Sequence, residues 1–206
     1  NRDSGVELED IEFAKDKIMM GAEKKALHIH EKDLKNTAYH EGGHALCSMV
    51  CEGADPIHKA TILPRGQALG MVMQLPVADR LGYTYKELLA ELIITMGGRA
   101  AEELIFGKEE VTTGASSDFQ QATNIAKNIV KLYGMSTLGP VNFQENDAAQ
   151  EQSSEYMRSK VDDEVNRLLN AAHKAAVNIL VENRSKLDLI AEILLEYETL
   201  TGAELE

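Results

Sequence analysis

The 206-residue chain is 44% apolar and 27% charged, a composition that predicts a folded globular core and argues against intrinsic disorder. Acidic residues outnumber basic ones by 34 to 21, and the net charge of −13 argues against a surface that follows nucleic-acid phosphates. No apolar run approaches the roughly 18 residues that a membrane span needs. The two cysteines, Cys47 and Cys51, exclude a disulfide scaffold and favour a reducing compartment.

The first half of the chain predicts two helices and one pair of strands. Residues 8–20 carry apolar side chains at helical spacing, and Gly21 ends the pattern, so we expect an amphipathic connector helix. Residues 33–51 predict a second helix. Two short runs that contain Ile, Val and Met, at 59–63 and 68–75, then predict two strands, which we expect to form the only sheet.

The second half of the chain predicts helices only. Thr84-x-x-Glu87 is a capping box that opens a helix reaching Leu104, and Gly97-Gly98 is expected to divide this helix in two. Three further helices are expected at 117–133 after a Ser116 cap, at 153–181 after a polar loop over 144–152, and from a Ser185-x-x-Asp188 capping box to Tyr197. The predicted fold class is therefore mainly α with a small β element.

The most informative segment is Tyr39 to His44, in which two histidines four positions apart flank a glutamate on a helical stretch. This is the H-E-x-x-H pattern of zinc hydrolases. At about 100° and 1.5 Å per residue, the imidazoles of His40 and His44 share one helix face and can converge on one ion at about 2.1 Å. Glu41 lies a quarter turn away, where it can accept a proton from water but is too displaced to be a third equal ligand.

The alternative to a zinc site is two ordinary helical histidines, because the pattern also occurs by chance. Gly42 and Gly43 each cost about 1 kcal/mol relative to alanine inside a helix, so metal binding or a close backbone contact must compensate. Cys47 and Cys51 lie on the histidine face, but about 16 Å of helix separates His40 from Cys51, too far for one tetrahedral site. We therefore expect both cysteines to pack in the core.

Catalytic zinc needs a third protein ligand, and the residues alone leave its source open. The metzincin continuation needs glycine at position 47 and histidine at position 50, so Cys47 and Val50 exclude it. Glu102 and Glu103 are candidates on another helix, and Asp118 is a candidate in the first turn of a helix after a glycine-containing loop. Each also has a metal-free explanation, either a solvated helix face or an acid favoured by the helix dipole.

Five segments in order resemble the peptidase domain of the FtsH family, the membrane-anchored AAA+ zinc proteases, over nearly the whole chain. The segments are Ala14 to Gly21, His40 to His44, Ala60 to Gly66, Gly97 to Glu103, and Thr112 to Asp118 followed by Ala122-Thr123. Two stretches, Ala60 to Gly66 and Ala115 to Phe119, are most similar to the mitochondrial i-AAA branch.

The resemblance implies three ligands for one zinc ion per chain: His40, His44 and Asp118. It makes Glu41 the general base and places Glu102 and Glu103 outside the ligand set. One departure is Gly42, where the family usually has alanine or serine. Because this position holds no ligand, the departure bears on helix rigidity rather than on metal binding.

The resemblance also implies how the chain is organised. Residues 1–30 form a connector helix with a hinge at Gly21 that leads from an AAA+ ATPase module, and residues 31–206 form the zinc peptidase domain. The strand over 68–75 is an edge strand along which an unfolded polypeptide pairs by β-augmentation. The substrate-binding residues of this strand are Gly70, Met71, Val72 and Met73. From the residues alone, a short edge strand usually binds nothing.

The intact protein implied by the resemblance is a homo-hexamer anchored by an N-terminal membrane segment. The mitochondrial inner membrane is favoured, with the bacterial plasma membrane and the thylakoid as alternatives. The 206 residues contain no G-x-x-x-x-G-K-[ST] phosphate loop and start without methionine, so we expect an excised domain that does not itself bind ATP. Two other interpretations stay open: a metal-free helical interaction module with a vestigial motif, and a zinc hydrolase of small amides.

Overall fold

The computed structural model describes residues 6–24, 29–65, 68–78, 80–143 and 155–205. Its helices are α1 (Leu8–Met19), α2 (Glu31–Val50), α3 (Tyr85–Phe106), α4 (Ser116–Lys131), α5 (Glu155–Glu182), α6 (Arg184–Tyr197) and α7 (Gly202–Leu205). Its strands are β1 (Ile57–Thr61), β2 (Met71–Gln74) and β3 (Thr199–Thr201). The predicted fold class, mainly α with a small β element, is confirmed. None of the helices within these ranges combines the length and the apolar character that crossing a bilayer requires.

Helix α3 lies at the centre of the fold. It packs against α2, α4 and α5, and α2 packs in turn against α6. Side chains on several faces of α3 are buried, among them Leu88, Ala90 and Ala100, as expected of a helix surrounded by others. The predicted capping box is present, since Glu87 N donates to Thr84 Oγ1 over 3.3 Å and Thr84 N donates to Glu87 Oε2 over 2.7 Å.

The expected break of α3 at Gly97-Gly98 is wrong, because the helix runs through both glycines. These glycines serve packing instead. A Cβ on Gly43 would lie 2.4 Å from the carbonyl oxygen of Gly97, and a Cβ on Gly97 would lie 2.6 Å from that of Gly43. The backbones of α2 and α3 therefore touch at this pair, which supplies the close approach expected to compensate for glycine in a helix.

The sheet contains a strand that sequence analysis missed. Its order is β2-β1-β3, both pairs are antiparallel, and Ala60 in β1 lies opposite Val72 and Leu200. At three residues β3 is too short to show a strand period, and it begins directly after Glu198, whose φ of 61° reverses the chain at the end of α6. Strand β2 lies at an edge of the sheet, as expected.

Two predicted helix caps are wrong. Ala115 rather than Ser116 is the N-cap of α4, because the 3₁₀ turn Thr113–Ala115 leads straight into the helix. Helix α6 begins at Arg184 without a side-chain cap, so Ser185 lies inside its first turn. The polar loop expected over 144–152 lies outside the described residues.

Helix α1 docks on the sheet through buried charges. Asp16 is buried and pairs with Lys59, and its Oδ1 also lies 3.3 Å from Nε2 of His58, both on β1. Gly21 follows α1 with a φ of 85°, and its carbonyl accepts a hydrogen bond of 3.2 Å from the buried Arg65 guanidinium. The helix predicted over residues 8–20 and its terminating glycine are both present.

Candidate metal centre

Three ligand-type atoms from two helices meet at one point. His40 and His44 lie on the same face of α2, with their Nε2 atoms 3.1 Å apart. Asp118 lies in the first turn of α4 and brings Oδ2 to 3.2 Å from Nε2 of His40 and 3.5 Å from Nε2 of His44. Ligands about 2.0–2.1 Å from a tetrahedral zinc ion are separated by about 3.3 Å. The three atoms therefore have the spacing that such an ion requires.

The outer nitrogens of both imidazoles are held by acceptors. His40 Nδ1 lies 2.7 Å from Oε1 of Glu102, and His44 Nδ1 lies 2.7 Å from the carbonyl oxygen of Ile94. A carbonyl and an ionised carboxylate can only accept, so each Nδ1 carries the proton and donates it. In its neutral form each imidazole therefore presents the lone pair of Nε2 to the common point, which is the tautomer that metal ligation needs.

The electrostatics of the cluster also favour a cation. Asp118 Oδ2 is buried and has no hydrogen-bond partner of good geometry, although both imidazoles are near. Burial lowers the pKa of His40, but the carboxylates of Asp118 and Glu102 outweigh this effect and raise it to about 10. Burial raises the pKa of Asp118, but the nearby imidazoles of His40 and His44 hold it well below its usual range. The cluster therefore stabilises positive charge where the three atoms converge.

Gly98 on α3 forms the floor of the centre. A Cβ at this position would lie 2.5 Å from Nε2 of His40 and 2.6 Å from Nε2 of His44. The absent side chain thus leaves the space in which the two nitrogens meet. Sequence analysis did not predict this role, although Gly98 and Glu102, four positions apart, lie on the same face of α3.

Glu102 joins the two halves of the centre. Its Oε1 accepts from His40, and its Oε2 accepts from Thr112 N over 2.8 Å, in the loop that leads to Asp118. The Glu102 carboxylate thus binds the outer nitrogen of His40 and does not face the point where the three ligand-type atoms converge. Glu103 points elsewhere and pairs with Arg99 over 2.9 Å. Neither glutamate belongs to the cluster of three.

Glu41 lies next to the centre and lines the same cleft. Its side chain is only 6% exposed, and burial raises the pKa of its carboxyl group, an effect that His44 and His40 oppose. A carboxylate with a raised pKa is better able to take up a proton near neutral pH than an exposed one. The arrangement can therefore combine a divalent cation with an adjacent proton acceptor.

The cleft around the centre has a volume of about 840 Å³ and runs along β2. Three of the four predicted substrate-binding residues line it: Gly70, Met71 and Val72. The fourth, Met73, belongs to the same strand but is absent from the lining. Among the described residues β2 pairs only with β1, so its outer edge has no strand partner.

The two cysteines lie away from the centre, as expected. Cys47 is fully buried in the core, and Cys51 is half-buried against it. Burial raises the pKa of the Cys47 thiol far above its usual value, so it is an unreactive packing residue.

Comparison with known proteins gives consistent matches over nearly the whole chain. The profile of Peptidase family M41 matches residues 27–206. The ATP-dependent zinc metalloprotease FtsH of Neorickettsia risticii is 51% identical over 96% of this chain and 31% of its own length. The ATP-dependent zinc metalloprotease FTSH 11, chloroplastic/mitochondrial, of Arabidopsis thaliana is 48% identical over 96% of this chain and 24% of its own length.

A third relative is the ATP-dependent zinc metalloprotease YME1 homolog of Schizosaccharomyces pombe, 42% identical over the whole chain and 29% of its own length. The chain thus spans 24–31% of the length of these three relatives. The bacterial relative is more similar to it than the yeast one, so similarity to the i-AAA branch stays a prediction.

Proposed function

Because the chain belongs to peptidase family M41, we propose that it is the zinc-dependent endopeptidase domain of an ATP-dependent, membrane-anchored protease. Its substrates in this proposal are unfolded or misassembled proteins. The observation that carries the proposal is the convergence of two Nε2 atoms and one buried carboxylate oxygen within 3.1–3.5 Å. Three protein ligands in this geometry leave one tetrahedral position for water or substrate, as in catalytic zinc sites.

In this proposal His40, His44 and Asp118 hold one zinc ion per chain. Bound there, the ion would polarise a peptide carbonyl and lower the pKa of water to about 7. Glu41 takes the proton from the attacking water and returns it to the leaving amine. Glu102 and the Ile94 carbonyl keep the two imidazoles in the required tautomer.

The cleft supplies substrate binding through backbone rather than through a deep side-chain pocket. An extended polypeptide adds to the outer edge of β2 along Gly70 to Met73, where main-chain hydrogen bonds provide affinity. Such pairing requires an unfolded segment and little side-chain recognition. The proposal therefore includes broad specificity, limited by the delivery of unfolded chain.

The remaining organisation is proposed from the relatives. Residues 1–30 are a connector, whose helix α1 is docked on β1 through Asp16, and residues 31–206 are the peptidase domain. The names of the relatives include ATP dependence, and their greater length leaves room for an ATPase module and a membrane anchor. We propose a homo-hexamer in the mitochondrial inner membrane, with the bacterial plasma membrane and the thylakoid as alternatives.

The test combines zinc content with cleavage of an unfolded protein. The purified chain is expected to contain about one zinc ion per molecule and to cleave casein. Glu41→Gln is expected to abolish cleavage while zinc is retained, since the carboxylate removes a proton but does not bind the ion. Glu52→Gln makes the same change at an exposed carboxylate that does not line the cleft and should leave cleavage unchanged.

Two outcomes would reject the proposal. Absence of bound zinc would favour a metal-free helical interaction module. Bound zinc without casein cleavage, together with hydrolysis of small amides, would favour a small-molecule hydrolase.

A further inference from the structure

Gly70 occupies a slot on helix α2 that has no room for a side chain. A Cβ at this position would lie 2.7 Å from both Cγ and Oε1 of Glu41, and 2.8 Å from Cγ2 of Thr37. Thr37 and Glu41 are four residues apart and therefore share one face of the helix. The backbone of the segment that enters β2 thus rests directly on the side chain of the proposed general base.

This contact restrains the Glu41 carboxylate by packing. Among the described residues, no hydrogen-bond donor at normal distance reaches the Glu41 carboxylate. The other wall of the slot is fixed, because Thr37 Oγ1 donates to the carbonyl oxygen of Asp33 over 2.9 Å. The conformation of Glu41 therefore depends on packing, and Gly70 is a packing partner in direct contact with its carboxylate.

We infer that Gly70 is a positioning residue for Glu41, in addition to any pairing with substrate. This inference rests on the proposed role of Glu41 as general base. Glycine is required because the volume that a methyl group would take is filled by the glutamate side chain. Gly70 thereby fixes the position of the proton acceptor relative to the strand along which the substrate is proposed to pair.

The test substitution is Gly70→Ala. The added methyl group has to displace something, and the end of the Glu41 side chain can rotate at lower cost than Thr37 or the helix backbone. The contact with Thr37 Cγ2 at 2.8 Å remains and should lower the melting temperature slightly, whereas zinc content should be unchanged. The general base contributes typically 10²- to 10⁴-fold, so moving it should lower kcat for casein by about 10- to 1000-fold, with KM changed by less than about threefold.

Binding without turnover separates positioning from substrate pairing. In the Glu41→Gln background, the Kd of an unfolded casein peptide should be the same with and without Gly70→Ala. Gly82→Ala is the matched control, because a Cβ there meets no atom within 4 Å. A rise in Kd that accounts for the lost activity, loss of zinc, or an unchanged kcat would each overturn the inference.

A crystal structure of the Gly70→Ala chain gives a readout that does not depend on activity. It should show the Glu41 carboxylate displaced by about 1 Å or more while the two imidazoles stay in place. An unmoved carboxylate would overturn the inference. If the unsubstituted chain fails to cleave casein, the proposed function fails, and this structure still decides whether Gly70 positions Glu41.

Discussion

Alanine substitutions at Gly42 and Gly43, which are neighbours on α2, should have opposite effects on the free energy of unfolding. Gly43 faces α3, and a Cβ there would lie 2.4 Å from Gly97 O and 2.7 Å from the Cβ of Ala101. Gly42 faces α6, where a Cβ would lie 3.4 Å from Leu187 Cδ1 and would make ordinary contacts. Both residues lie in the same helical stretch, so the helix propensity gained by alanine is the same at both positions.

The size of each stability change depends on whether the atoms near the new methyl group can move. At Gly43 the obstacle is backbone, and ordinary contact begins at 3.4 Å, so α2 and α3 must separate by about 1 Å. Overpacking of this kind costs about 3 kcal/mol, from which about 1 kcal/mol of helix propensity is recovered. Gly43→Ala is therefore expected to lower the free energy of unfolding by about 2 kcal/mol, and Gly42→Ala to raise it by about 0.5–1 kcal/mol.

Urea unfolding of the metal-free chain at pH 7 measures both effects. Zinc affinity is measured in parallel, because separating α2 from α3 pulls the imidazoles away from the Ile94 and Glu102 acceptors. Gly43→Ala should therefore also weaken zinc binding, whereas Gly42→Ala should not. If Gly43→Ala were as stable as Gly42→Ala, the close contact between the two helix backbones would be refuted.

Three further predictions concern the metal centre and one remote ion pair. Zinc affinity is measured by competition with a chelator. Glu102→Gln should lower this affinity by about 10- to 100-fold, because Glu102 acts through an imidazole, and Asp118→Asn should lower it far more. Equal losses of affinity would contradict this assignment. Gly98→Ala should abolish stoichiometric zinc binding, seen in metal analysis, without lowering the melting temperature of the metal-free chain, because its Cβ would fill the space between the two Nε2 atoms. A hydrogen bond from Arg167 lowers the pKa of Glu164 to about 2 in the folded protein. The pair therefore stabilises the fold above the pKa of Glu164 in the unfolded chain, about 4.3, and this stabilisation is lost as pH falls toward 2. Arg167 is half exposed, so solvent weakens the ion pair. Between pH 7 and pH 3 the unfolding free energy of the wild type should therefore fall by only about 1–2 kcal/mol more than that of Glu164→Gln. Equal falls would contradict the pairing.

The local features of the metal centre could be read from the sequence. The spacing of His40 and His44 on a helix already implied a common face, and the structure places their Nε2 atoms 3.1 Å apart. The capping box at Thr84 and the end of α1 before Gly21 were likewise predicted correctly. These features depend on residues within about four positions of each other, whose geometry the helix period determines.

Contacts between distant segments required the tertiary structure. Residue patterns alone left Asp118, Glu102 and Glu103 as competing third ligands, and the family resemblance favoured Asp118. The structure brings Asp118 to the convergence point and Glu102 to the outer nitrogen of His40. No local period relates residues 62 or 78 positions apart, so only the packing of α2, α3 and α4 decides which oxygen faces which nitrogen.

The glycines show the same division between what local sequence determines and what tertiary packing determines. Sequence alone determined that glycine in α2 and α3 weakens the helices, and it therefore predicted a break at Gly97-Gly98 that does not occur. Only the tertiary structure decided that Gly97 allows two backbones to touch, that Gly98 leaves space for two imidazoles and that Gly70 leaves space for Glu41. The physical reason is that a missing side chain is useful only in relation to the atoms that fill its volume, and those atoms come from other segments of the chain.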